Sequence, residues 1–424
     1  MEKSMRTVNF RIHTTSARLI AFLICITGLM FTGLSNAKTM PSIEVVDDTP
    51  MAMQSQNPER SGISLTVNNY GIAFGNVPVV HGLRFNLRDI NLNQVNGANI
   101  TILAPREPSY GMVRGLALGL PMTGGASITG VSAALGGITV EESIRGIQFA
   151  LLGIGAGTDI SGITVAGLGF GAGGNVSGIN LAGLGFGADG HLSGITVTGL
   201  GFGADGNVSG INVAGLGFGS DGNVAGINYT TLGFGAGENV SGINIAGLGF
   251  GAGGHVTGIS AVLLGFGAGE GVRGVSFAGL GIGTGASITG ISVAGLGLAS
   301  GDQIRGISLA GLGIASGESV CGIAFAGLGI ASQQLRGITV SPGAAAMELA
   351  RGAFFAPAYF RIEDGTLQGI SVSAFNHIRG QQQGITIGLY NYARNLKGVQ
   401  IGVMNYAANN PRGLRLLPLV NANL

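Results

Sequence analysis

Residues Gly210–Ala225 read GINVAGLGFGSDGNVA, and this stretch decides the fold because it recurs. Its opening Gly-aliphatic pair returns every 16 residues from Gly130-Val131 to Gly322-Ile323, thirteen units in one register. Looser copies follow at Gly337, Gly352, Gly369, Gly384, Gly398 and Gly413, and one precedes at Gly115. A fixed period of this kind marks a repeat architecture, in which each unit buries its core against its neighbours.

Counting the lead glycine as position 0, apolar residues fall at +1, +3, +6, +8 and +14. In one unit these are Ile211, Val213, Leu216, Phe218 and Val224. Each of the first two pairs alternates with period two, as a strand does. The two pairs have opposite parity, so one straight strand would send them to opposite faces. A corner near Ala214-Gly215 brings all four to one interior. A second corner is supplied by Ser220-Asp221-Gly222-Asn223, which carries turn chemistry. Helix is disfavoured, since each glycine costs about 1 kcal/mol in a helix interior. The expected fold is therefore all-β: a single β-solenoid of about twenty 15–16-residue coils, with an irregular N-terminal β cap. At about 4.8 Å per coil it makes a rod of roughly 90–100 Å. The alternative is an outer-membrane β-barrel with one strand and one turn per unit; the parity change within each unit argues against it.

The expected organisation has six parts. Residues 1–37 read as a signal peptide, with a basic start (Lys3, Arg6, Arg11, Arg18), an apolar run Leu19–Leu34 and small residues before cleavage at Ala37. Residues 38–60 form a flexible leader, 61–114 an N-terminal β cap and 115–341 the glycine-rich repeats. An interruption over 342–368, with room for a short helix or loop, precedes C-terminal repeats and cap over 369–424. Cleavage turns 21 basic and 20 acidic residues into 17 and 19. So neutral a chain has no electrostatic footprint for nucleic acid. Only Cys321 then remains, which excludes an intrachain disulfide.

Glycine contributes 82 of 424 residues, while charged residues make up 10 %. No nucleophile elbow, phosphate loop, paired carboxylates or His/Cys cluster stands out, so no catalytic, cofactor or metal residue is assigned, and the chain is read as non-enzymatic. Asp189, Asp205 and Asp221 at +11 read as turn aspartates. His191 and His255 occupy equivalent corners four coils apart, too far to share a metal. Two outer surfaces are the candidates for contact. The first is the polar row at +2: Thr164, Asn180, Thr196, Asn212, Asn228 and Asn244. It is the expected contact face, and on a weaker reading a ligand- or ice-binding row. The second is the glycine face at +5, +7 and +9, as in Gly183, Gly185 and Gly187, where another copy could dock closely. In the last units +7 becomes Asn376, Asn391 and Asn405, and asparagine also tolerates left-handed geometry.

The last units, GITIGLYNYARNLK, GVQIGVMNYAANNPR and GLRLLPLVNANL, carry a resemblance over 369–424. GITIGLYNYA and GVQIGVMNYA are similar to the bacterial surface-repeat proteins built on G-Φ-x-Φ-G-Φ-x-N, where Φ is aliphatic. The resemblance implies a secreted, cell-surface or outer-membrane address in a Gram-negative bacterium. The expected function is thus an exported envelope repeat protein acting as a rigid scaffold or contact surface, with an outer-membrane pore as the alternative. Its expected partners are a second copy or an envelope component, not nucleic acid.

Overall fold

The computed structural model describes residues 61–90, 92–103 and 111–423. The expected signal peptide and leader lie outside the described residues. The rest is a parallel β-solenoid of about nineteen turns. Each central unit contributes a long strand and a short one, such as Val208–Ala214 and Gly217–Ser220. Both pair in parallel with their counterparts one coil away, Ile211 with Ile227 and Phe218 with Phe234. Antiparallel neighbours define outer-membrane barrels, so the barrel alternative falls. Both expected corners are present, as bends at Gly215-Leu216 and Asp221-Gly222.

A third break sits at the lead glycine. Gly210 has φ +107°, and this left-handed ladder runs unbroken from Gly71 to Gly398. A Cβ on Gly210 would lie 2.0 Å from the carbonyl oxygen of Gly194 in the preceding coil. Only glycine meets both demands. The breaks at Gly210, Leu216 and Gly222 divide the coil into three short sides.

The interior is not the one expected. Phe218 and Val224 are buried, but Ile211 and Leu216 are 41 % and 40 % exposed. From one +14 position to the next, the buried residues are Val208, Asn212, Ala214, Phe218, Ser220 and Val224. They share one parity around the whole coil, with the even positions 210, 216 and 222 taken up by the breaks. No parity change is needed, and +1, +3 and +6 point outward.

The core is accordingly a set of ladders. Phe170, Phe186, Phe202, Phe218, Phe234, Phe250 and Phe266 stack with ring centroids 4.2–5.3 Å apart. Beside them the corners are filled by alanine, threonine or valine at +4 and by alanine or serine at +10. The space left opposite these rings takes a small residue at +2.

Two further expectations change. The interruption over 342–368 holds no helix; it is built of strands Gly343–Phe355 and Tyr359–Ile362, which continue the parallel stack. The chain leaves register in sequence there but not in pairing, because a bulge between Ser332 and Gln334 absorbs the offset. Asn376, Asn391 and Asn405 do not have left-handed backbones. They are buried, and each side-chain amide donates to the next, at 2.8 Å and 2.7 Å.

Each end is closed by an antiparallel strand. Ser61–Val67 pairs with Tyr70–Asn76, and Leu416–Asn423 pairs back along residues 398–406. An antiparallel strand ends the parallel template and so caps the stack. Among the described residues, no helix is long and apolar enough to cross a membrane.

Candidate functional site

The three sides of a coil present different chemistry outward. The first side carries +1 and +3. From the unit of Gly71 to that of Gly398 these two rows contain no charged residue, and Tyr229 supplies their only polar atom. Ile163, Ile195, Ile227 and Ile259 in the +1 row are 39–49 % exposed. A third row follows at the corner. It is leucine in twelve successive coils from Leu152 to Leu328, each at least 40 % exposed. Near the C-terminal end the same side has a hollow of about 500 Å³, lined by Phe355, Val372, Ile387, Ile401 and Leu419.

The second side is nearly bare. In GFGA and GFGS the outward residues are both glycine. Gly183 and Gly185 are held to glycine by their own chain: a Cβ would lie 1.8 Å from Gly167 O and 2.2 Å from Gly201 O. They allow coils to stack rather than a second molecule to approach. Gly187 alone of the three faces open space.

The third side carries the polar residues. At +13, Asp159, Asn175, His191, Asn207, Asn223, Asn239 and His255 form a file along the turn. Each side chain accepts a hydrogen bond from the backbone N–H of the next member, at 2.7–3.1 Å. His191 accepts through Nδ1, which places its proton on Nε2. The His191 ring therefore serves the turn, whereas His255 Nε2 pairs with Glu270 at 2.8 Å. Asp189, Asp205 and Asp221 sit exposed at the bend beside them. Among the described residues, no three His, Cys, Asp or Glu side chains gather as a metal site would require.

The expected contact row at +2 is corrected most sharply. Thr164, Asn180, Thr196, Asn212, Asn228 and Asn244 are all 0 % exposed. None can touch a ligand or an ice surface. Stacking makes their burial tolerable: Asn212 Nδ2 donates to Asn228 Oδ1 and Asn228 Nδ2 to Asn244 Oδ1, both at 2.9 Å. The run fails where the residue type changes. Asn180 lies between two threonines, and neither of its amide atoms has a partner; Asn212 Oδ1, above Thr196, has none either. Buried polar atoms left unpaired cost about 1–3 kcal/mol. Thr196→Asn, close in volume, would join Asn180 to Asn212. We expect it to raise unfolding stability by about 1–2 kcal/mol, read from urea melts; a loss of stability would refute the ladder account.

Three titratable groups among the described residues are shifted, Arg361 and Tyr390 upward and His377 downward. His377 is half-buried, with its ring centroid 4.9 Å from that of Tyr392. Burial first, then the charges of Arg379 and Arg361, hold its pKa below the usual histidine value. A depressed histidine is protonated more readily in the unfolded chain. Its contribution is therefore intact above about pH 6.5 and is lost progressively as pH falls toward the lowered folded value. His377→Gln is expected to flatten this acid-side decline in the C-terminal coils, measured by urea melts between pH 7 and 5. An unchanged slope would show that His377 does not cause it.

The outward aliphatic rows were missed because hydrophobicity alone assigns Ile211 and Val213 to the core. The available signal was the shared parity of Asn212, Ala214, Phe218, Ser220 and Val224, which needs no change of face within the coil. No protein-family model, curated protein or solved structure matches the chain.

Proposed function

We propose that this chain is an exported, non-enzymatic protein of the Gram-negative cell envelope or surface, in which the solenoid is a rigid scaffold that makes contact through its apolar side. One observation carries the reading: the uncharged rows at +1 and +3 extend over every coil from Gly71 to Gly398, with leucine beside them at +6 in twelve coils. Contiguous exposed apolar patches beyond a few hundred Å² mark interaction sites. The two ladders at +1 and +3 alone cover about 1,000 Å², taking about 4.8 Å per coil and about 3.3 Å for each of the three residues from +1 to +3. The signal-like segment before Lys38 supports export, and the C-terminal resemblance supports the envelope address.

The test begins with the chain expressed in a Gram-negative host and recovered from each cell fraction. Material in the envelope or medium whose N-terminus is Lys38 supports the reading. A chain that keeps Met1 and stays in the cytosol overturns it.

A further inference from the structure

We infer that the apolar side is covered by a second copy of this chain, packed face to face with the two rods antiparallel and with the two-fold axis passing beside Ile245. The inference rests on the scaffold reading and supplies its partner.

The first argument is area. About 1,000 Å² from each copy gives about 2,000 Å² in all, the size of an obligate homodimer interface. Such interfaces are more apolar than transient ones, and no charge interrupts these two rows. Stacked side-chain ladders hold a parallel sheet flat, so two such sides can stay in contact along the rod. A second copy also presents the same rows with the same spacing, as an isologous contact requires.

The second argument is shape. The +1 row is nearly uniform, mostly isoleucine, whereas the +3 row varies from alanine to phenylalanine and tyrosine. A two-fold axis lying across the rod sets the +3 row against itself with coil order reversed. An axis along the rod would set +3 against +1, and the uniform row would not match the bumps. With the transverse axis at the coil of Gly242, Tyr229 meets Ala261, Phe277 meets Val213 and Phe355 meets Ala133. Phe325 then meets Val165, and Phe149 meets Val340. All five aromatics of the +3 row between Ala133 and Phe355 thus face alanine or valine, and both of the row's alanines in the repeats face an aromatic. This register also overlaps all but one of the coils between Gly71 and Gly398. Lipid, the competing cover for an apolar side, has no use for such matching.

Ile245 is 41 % exposed and lies on the proposed axis, where it faces its own copy. In a Cys321→Ser background, Ile245→Cys is expected to give a dimer linked by a short bis-maleimide, because facing residues of packed sheets lie about 10 Å apart, beyond the span of a disulfide. Tyr229→Cys and Ala261→Cys are each expected to stay unlinked alone and to link when the two variants are mixed, unfolded and refolded together. In a dimer of either variant alone the two thiols lie two coils apart along the rod, about 9.6 Å, in addition to the gap between the sheets. The protein is taken as the cell processes it, and its mass is measured by light scattering. We expect twice the chain mass, falling to a single chain in Ile245→Glu with the far-ultraviolet β signal unchanged.

A single-chain mass for the unsubstituted protein overturns the inference, and so does a dimer that does not link through Ile245→Cys. Flotation of single chains with phosphatidylcholine vesicles overturns it in favour of lipid. Each of these leaves export and the scaffold reading standing, whereas cytosolic retention removes that reading without bearing on the dimer.

Discussion

Gly210→Ala is expected to open the solenoid at its coil, whereas Gly219→Ala, in the same unit, is expected to leave it standing. The two glycines look alike in sequence and differ in surroundings. At Gly210 the backbone has φ +107°, which an L side chain rarely adopts, and an added Cβ would sit 2.0 Å from Gly194 O. Relief requires either a changed dihedral, which alters the break between two sides, or a wider gap between coils, which stretches the parallel ladder. Strained dihedrals alone cost about 1–3 kcal/mol, and with the clash we expect about 3–5 kcal/mol. At Gly219 nothing lies within 4 Å of the new methyl and φ is not left-handed. The effect there is expected to stay within about 1 kcal/mol and to favour folding if anything. Hydrogen exchange should show lost protection centred on Gly194–Gly226 for the first variant and none for the second. Equal losses would mean that glycine content, not its placement along the stack, holds the coils together.

This contrast indicates how much was legible in the sequence. The period, the parallel coil and both corners follow from local chemistry: a repeated glycine, an Asp-Gly turn and short alternating runs. Which face turns inward does not. Period two says that Ile211 and Asn212 point oppositely, but not which is inside. Three-dimensional facts decide it. The Phe218 column occupies the core, so the opposite wall takes Asn212 and Ala214 rather than two branched side chains. The asparagine amide also finds its partners one coil away, 16 residues along the chain, where no local rule looks. The glycines were legible as places of close approach. That Gly183 and Gly185 approach their own chain, and Gly187 nothing, depends on coil stacking.

Arg84→Leu is expected to unfold the N-terminal coils while the central coils persist. Arg84 sits at +2 of the unit led by Gly82, so it occupies the interior row that later coils fill with Asn, Thr and Ser. It is 0 % exposed, and Asp89 is 2 % exposed. Arg84 Nη1 pairs with Asp89 and donates to Asn99 Oδ1 at 2.9 Å, while Nε donates to Val77 O at 3.0 Å. Asp89 also accepts from Asn86, Asn99 and Thr101 at 2.8–3.0 Å. Removing the guanidinium leaves a buried carboxylate without countercharge, a loss of about 3–5 kcal/mol. Asp89→Leu alone should cost a similar amount. Replacing both together removes the uncompensated charge and should restore much of the stability, as exchanging buried ion pairs for apolar residues often does. Because each coil contacts only its neighbours, the damage should stay local. Hydrogen exchange is expected to rise over residues 71–103 and to stay low in Val208–Ala214. If either single variant melted the whole rod at once, the N-terminal coils would be the nucleus on which every other coil depends rather than one part of a stack that holds itself.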